Sequence, residues 1–251
     1  MPNPSALYDD LIAGIPHDVT VTDYAQGPQW SRVRTSDGGF GMALYTPSAT
    51  RPGTWKGTLQ DASLHDVALL CHSWNFQEAS YGVAAINAWY NHPDRAHQVG
   101  HPRPRSGLET AFVSYAPQLA GKRVVVVGHF PGMEDELAGA GELIILERAP
   151  QPGDYPDSAA EYVIPGADYL FITGSPLVNK TLPRLLELAR AGNVHTVLVG
   201  PSVPLAPVFS DYGVSGLSGF IPTDMQALEY SLRGVGDQAK FNHGRMVDLE
   251  L

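Results

Sequence analysis

The apolar positions of the first fifteen residues recur at helical spacing. Leu7, Leu11, Ile12 and Ile15 form one stripe, Ser5 stands where an N-cap belongs, and Gly14 and Pro16 close the segment. The period then drops to two. Val19 and Val21 alternate with Thr20 and Thr22, Trp30 and Val33 follow, and the turn Ser36–Gly41 precedes Met42–Tyr45, a pattern that predicts a small antiparallel meander. Helical spacing returns over residues 59–74 and again over Glu78–Tyr90. Strands followed by helices predict an α+β domain. Asn91–Gly107 holds three prolines, three histidines and three arginines with no apolar period. It reads as a loop between domains, able to act as a hinge.

Beyond it the pattern changes to short, continuous β-branched runs. "RVVVVG", "ELIILE", "DYLFIT" and "HTVLVG" are four such runs, and "GLSGFIP" is a fifth. Helical pieces lie between them. Buried runs alternating with helices predict a mostly parallel sheet covered on both faces. The expected fold class is therefore α/β: a small α+β domain over residues 1–105, then a parallel-sheet domain over residues 106–251.

Composition narrows the function classes. The chain has 251 residues, 43% hydrophobic and 17% charged, enough for two modest folded domains. The net charge is −10: residues 1–105 carry 7 basic and 9 acidic groups, and residues 106–251 carry 9 and 17. No long Lys/Arg run is present, which argues against nucleic acid or an anionic membrane as partner. One cysteine, Cys71, allows no intrachain disulfide. The N-terminus lacks the basic start and apolar core of a signal peptide, and no stretch nears the roughly 20 apolar residues of a membrane helix. The expectation is a cytoplasmic protein, with self-association into a homo-oligomer left open.

Open parallel sheets bind ligands beyond the carboxyl ends of their strands. Four turns carry polar or glycine residues at that edge: Gly128-His129-Phe130-Pro131-Gly132; Glu147, 19 residues past Gly128; Thr173-Gly174-Ser175, with Asn179 and Thr181 just beyond; and Gly200-Pro201-Ser202. The Gly128-to-Glu147 spacing approximates a nucleotide-binding unit, but G-x-G-x-x-G is absent and the following crossover is short. A nucleoside-like or other small polar ligand fits better than a dinucleotide, and tight strand-to-helix turns alone would also explain the glycines. In "TGSPLVNKTL", Asn179 or Ser175 can cap a helix with Thr181 in its first turn and Lys180 adding charge. That arrangement suits an anion, or is an ordinary capped helix. His129, in a glycine turn at a strand's end, is a candidate metal ligand or general base. Neither C-x-x-C nor H-E-x-x-H occurs among Cys71, His72, Glu78, His129, Glu147 and Asp154. Cys71 reads as a small buried hydrophobe, and His92, His97 and His101 read as surface residues of the loop. The absence of G-x-S-x-G speaks against a serine hydrolase.

"CHSWNFQEASYGVAAINAWYN" (Cys71–Asn91) has two parts. Val83, Ile86 and Tyr90 share one helical face, and Ala84, Ala85 and Ala88 permit close approach of a neighbour. Ser73-Trp74-Asn75 reads as the helix start, where Ser73 or Asn75 caps and Glu78 lies in the first turn. Glu78 is then either a capping residue or a group pointed across a cleft.

Ser73-Trp74-Asn75, Glu78-Ala79-Ser80 and Ala84–Ala88 resemble a family of bacterial and archaeal proteins to which heavy-metal chelation has been ascribed. The likeness continues through "VVVVGHFPG", "LIILERAPQPGDYPDSAAEYVIPGADYLFITGSPLVNKTLPRLLELA" and "VLVGPSVPLAPVFSDYGVSGLSGF". The resemblance implies an enolase-N-terminal-like domain followed by a Rossmann-like domain, with a small polar ligand between them. That ligand would be a divalent heavy-metal ion or a metal–chelator complex. Trp74, Asn75 and Glu78 would face Gly128, His129, Phe130, Pro131, Glu147, Asp154, Asp157, Thr173, Gly174, Asn179 and Thr181. His129, Glu78, Asp154 and Asp157 are the implied metal ligands, a set of oxygen and nitrogen donors for hard or borderline metals. Two other readings stand beside this one. In the first, an enzyme acts on a nucleotide-like or other anionic molecule, with Glu78 or His129 as acid/base. In the second, the protein binds a macromolecular partner and catalyses nothing.

Overall fold

A computed structural model describes residues 3–45, 50–96, 103–104, 111–235 and 240–251. Helix α1 (Ala6–Ala13) buries Leu7, Tyr8, Leu11 and Ile12, close to the expected stripe. Strands β1 (Val21–Gln26), β2 (Trp30–Thr35) and β3 (Phe40–Leu44) form the predicted antiparallel meander. The helical pattern over residues 59–74 condenses to α2 (Leu64–Ala68) and a 3-10 turn, Leu69–His72. Helix α3 (Phe76–Tyr90) follows and packs on the meander. Its small residues permit that packing. A Cβ at Gly41 would overlap the backbone of Ala84 and Ala88, and one at Gly39 would come 2.5 Å from the Ala88 carbonyl.

After α4 (Pro93–Ala96) the chain reaches β4 (Arg103–Pro104). The domain limit expected at residue 105, and most of the expected hinge, lie outside the described residues. The rest comprises α5 (Ala111–Leu119), β5 (Arg123–Val127), α6 (Met133–Glu136), β6 (Glu142–Glu147), β7 (Tyr155–Pro156) and α7 (Ala160–Val163). Then come β8 (Tyr169–Thr173), α8 (Ser175–Asn179), α9 (Leu182–Ala191), β9 (His195–Val199), β10 (Gly216–Pro222), α10 (Met225–Leu232) and β11 (Gly244–Glu250). The second sheet runs β4-β11-β10-β9-β8-β5-β6-β7. The run from β10 to β7 is parallel; β11 pairs antiparallel with β10, and β4 pairs antiparallel with β11. Val124, Val126, Phe171 and Val197 pack on one face with Phe112 and Tyr115 of α5. Val125, Leu170, Ile172 and Leu198 pack on the other, in one buried cluster that continues through α8 and α9 into α1 and α3. The fold is thus α/β, a small three-stranded sheet joined to a large, mostly parallel one with helices on both faces. No helix among the described residues is long and apolar enough to cross a membrane.

Three expectations are corrected. In place of one helix capped by Asn179 or Ser175 with Thr181 in its first turn there are two, α8 and α9, separated at Lys180 (φ 70°), and Thr181 is the N-cap of the second. Pro183, which has no N–H to donate to an i−4 carbonyl, starts a new helix instead. His92 is not a surface residue: it is 8% exposed, and its ring contacts the Asp37 carbonyl at 3.2 Å. The strands β4, β7 and β11 have no counterpart among the expected elements.

The two halves are bonded by buried polar groups. Asn91, at the end of α3, donates its amide to the carbonyls of Val203 (2.9 Å) and Phe220 (3.1 Å) and accepts from the Leu205 N–H (2.8 Å). Tyr8 donates to the Leu177 carbonyl at 3.1 Å. Arg32, nearly unexposed, pairs with Asp23 (2.8 Å) in its own half and Glu229 (2.6 Å) on α10. Replacing Asn91 leaves three buried backbone groups without partners, at about 1 kcal/mol or more each. Asn91→Ala is expected to lower unfolding stability by at least about 3 kcal/mol in urea. Both halves should be lost in one transition. Two separated transitions in the wild type, with only one shifted by the variant, would contradict this coupling.

Candidate functional site

Strand β5 sits where the chain reverses its direction across the large sheet. From β5 it proceeds to β6 and β7 on one side, then returns to β8, β9 and β10 on the other. Such a switch opens a crevice at the carboxyl ends of the two diverging strands, here β5 and β8, because their following segments leave toward opposite faces. Val127 pairs with Ile172, so Gly128 and Thr173 stand side by side at that crevice. Gly128 takes φ 100°, and a Cβ there would lie 2.9 Å from Thr173 Cγ2, so the turn requires glycine twice over. A Cβ at Gly174 would meet Ser202 at 2.6 Å. The Phe130 ring reaches across the Gly128 and Gly200 turns, within 4 Å of where either Cβ would stand. Ser202 Oγ accepts the Leu44 N–H at 2.8 Å, which brings the end of β3 to the same edge.

His129 is the most constrained side chain of this edge. Its backbone N–H donates to Glu147 at 3.0 Å, and Glu147 also accepts from the N–H groups of Arg148 (2.7 Å) and Ala149 (3.2 Å). Its Nδ1 lies 3.1 Å from both oxygens of Asp154, whose side chain is only 2% exposed and also accepts the Gln151 N–H. Its Nε2 lies 3.0 Å from Glu134 Oε1 on α6. Pro131 and Gly132, the latter left-handed at φ 79°, complete the turn into that helix. Glu134 went unnoticed in the sequence, where only the acidic run "MEDE" directly after the glycine turn marks it.

The remaining expected residues fall into separate groups. Asp157 pairs with Arg148 at 3.0 Å. Asn179 caps no helix: its side-chain oxygen accepts from Thr181 N (3.1 Å) and Oγ1 (2.6 Å), closing the turn between α8 and α9. Ser175 opens α8, whose N-cap is Gly174. Lys180 donates to the Val178 carbonyl and lies 5.5 Å from the Tyr8 ring, so its charge turns toward α1. Burial pushes its amine down to about 8.

At the start of α3, Asn75 is the cap, accepting the Glu78 N–H at 3.0 Å, while its amide donates to the Arg51 carbonyl. Glu78 accepts four hydrogen bonds, from Thr54 N (2.6 Å), Thr54 Oγ1 (3.1 Å), Trp55 N (2.7 Å) and Ser73 Oγ (2.6 Å). It thereby fastens the loop after β3 to α3. Trp74 is 61% exposed and lines two open cavities of about 520 and 580 Å³, shared with Arg51. Among the described residues, the hydrogen bonds of Trp74, Asn75 and Glu78 stay within the first half of the chain and do not reach the Gly128–Thr173 edge.

Fold and edge define a two-part α/β protein with a switch-point crevice of the kind that holds small ligands. Residues 111–248 match the DUF364 family and residues 8–90 match DUF4213, both described as "Putative heavy-metal chelation". The chain belongs to the DUF364 family. A DUF364-family protein of unknown function from Desulfitobacterium hafniense is 38% identical and superposes with a TM-score of 0.90, with 98% of each chain covered. Another, from Pyrococcus horikoshii, is 20% identical with a TM-score of 0.79 over 99% of each chain. An uncharacterized protein of Methanocaldococcus jannaschii is 23% identical over 83% of this chain and 81% of its own length.

Burial alone would raise the Glu78 carboxyl, but the hydrogen bonds from Ser73, Trp55 and Thr54 outweigh it and hold the carboxyl below the usual range. Its stabilising contribution is present above the ordinary Glu value of about 4.3 and is lost as pH falls through the lower folded-state value. The wild type should therefore lose urea resistance more steeply than Glu78→Gln below about pH 4. Parallel curves would show that the carboxylate is not held this way.

Proposed function

We propose that the protein binds a small polar ligand at the β5–β8 crevice, with a heavy-metal ion or metal–chelator complex as that ligand and His129 at its centre. The observation that carries this reading is the buried Asp154 carboxylate on His129 Nδ1. A carboxylate behind an imidazole fixes its orientation and leaves Nε2 as the outward donor, the arrangement common behind metal-binding histidines. The 3.0 Å from Nε2 to Glu134 is also the edge of a coordination polyhedron in which both atoms sit about 2.1 Å from one ion. His129 and Glu134 are the donor pair, and Asp154 and Glu147 position it. Glu78 and Asp157 would have to abandon Thr54, Trp55, Ser73 and Arg148 to join the set. Gly128, Phe130, Thr173 and Gly174 supply a wall where a chelator's backbone or ring can lie. The family descriptions support the metal as cargo.

The same histidine–aspartate pair favours a second reading, an acid/base enzyme with His129 as the proton-transferring group. The readings part on metal dependence. Calorimetric titration of untagged protein with Zn²⁺ or Ni²⁺ should show binding that weakens at least about tenfold in His129→Ala and in Asp154→Asn. Unchanged affinity in both variants would overturn the metal reading at this edge.

A further inference from the structure

A second group of metal-binding side chains lies on the meander half, away from His129. Among the described residues, His17, His65 and Asp66 are the one set of three His, Cys, Asp or Glu whose donor atoms all lie within 4.8 Å of one another. His17 lies in the loop after α1, and His65 and Asp66 occupy the first turn of α2. They are 48 residues apart, yet backbone pairing brings them together. Val21 N–H donates to the Ala62 carbonyl (2.9 Å), Asp61 N–H to the Val21 carbonyl (2.9 Å) and Leu64 N–H to the Val19 carbonyl (2.7 Å), with a bridge between Thr20 and Ser63. Buried Val21 and Leu64 anchor both segments in the core. The site is therefore held by the fold and does not depend on chance contact of surface chains.

The local chemistry points the same way. The two imidazole rings face one another with centroids 3.9 Å apart and planes at 38°. His65 Nδ1 is shielded from solvent and has no hydrogen-bond partner, an uncommon state for a ring nitrogen. Asp66 Oδ1 stands 3.6 Å from it, too far for a hydrogen bond but close to the ~3.4 Å edge of a tetrahedron with bonds of about 2.1 Å. His17 and Asp66 are exposed, so an ion can reach the group from solvent.

We infer that His17, His65 and Asp66 form a surface site for a borderline divalent transition ion such as Zn²⁺, Ni²⁺ or Cu²⁺. Two imidazole nitrogens and one carboxylate oxygen select such ions over Ca²⁺ or Mg²⁺, and Cys71, the single thiol, is buried and supplies no soft ligand. Three protein donors leave at least one coordination position for water or an external chelator. This site stands independently of the His129 reading.

The test is equilibrium dialysis of untagged, full-length protein against Zn²⁺ alone, with bound metal counted by elemental analysis. A Cu²⁺-loaded sample is examined in parallel by electron paramagnetic resonance. We expect one bound equivalent to weaken at least about tenfold in His17→Ala and in His65→Ala and to persist in His129→Ala. The Cu²⁺ spectrum should show coupling to imidazole nitrogens that His17→Ala removes. His17 is exposed, so His17→Ala should fold as the wild type does, and its melting temperature confirms it. Zn²⁺ binding and Cu²⁺ spectra unchanged in folded His17→Ala would overturn the inference, as would no bound Zn²⁺ in the wild type. Loss in His129→Ala alone would overturn this site and leave the sheet-edge reading standing.

Discussion

The buried side chain of Asn91 is the interaction on which the arrangement of the rest depends. It closes α3 with three hydrogen bonds to the segment around Val203–Leu205 and to β10, and so fixes the meander half against the large sheet. A buried amide with all three partners satisfied is favourable only in one geometry, because shifting either half orphans several groups at once. Leu44 N–H on Ser202 follows from the same fixed relation and places the end of β3 at the carboxyl edge. The continuous apolar cluster from α1 and α3 to Val125 and Ile172 supplies the burial free energy. The polar contacts set the register in which it is realised.

That fixed relation bears on function because the crevice is made by the large sheet and bordered by the small one. The turn at Gly128 stands at the crevice because β5 lies between β6 and β8, where the strand order changes direction. His129 projects there because Glu147 holds its N–H and Asp154 its ring. The start of α3 does a different job: Asn75 and Glu78 secure the Arg51–Trp55 loop, and Trp74 is left exposed beside Arg51. The hydrogen bonds of Asn75 and Glu78 are local to α3 and the loop after β3, whereas the resemblance implies that Trp74, Asn75 and Glu78 face the crevice.

Local pattern made much of this legible. The stripe of α1, the alternation of β1 to β3 and the continuous runs of β5, β6, β8 and β9 each carry their own period. The capping relation of Asn75 to Glu78 is likewise visible in the spacing. Pairing order is not local. Nothing in "RVVVVG" says that β6 lies on one side of it and β8 on the other, so the switch point emerged only from the fold. The two-residue strands β4 and β7 are too short to show a period, and β11 is an antiparallel strand of mixed polarity. Thr54 and Trp55, which donate to Glu78, lie more than 20 residues upstream, and His17 meets His65 through backbone pairing of distant segments. Lys180 shows a local signal overridden: a good helix former sits at a left-handed break because Pro183 follows.

The central claim is that the β5–β8 edge is where ligand sits. Crystals of untagged protein grown with Zn²⁺ and measured above and below the zinc absorption edge test it most directly. The account predicts an anomalous peak about 2.1 Å from His129 Nε2 and from a Glu134 oxygen, with Asp154 still on Nδ1. A crevice filled by water alone, with ordered zinc bound only elsewhere on the chain, would contradict it.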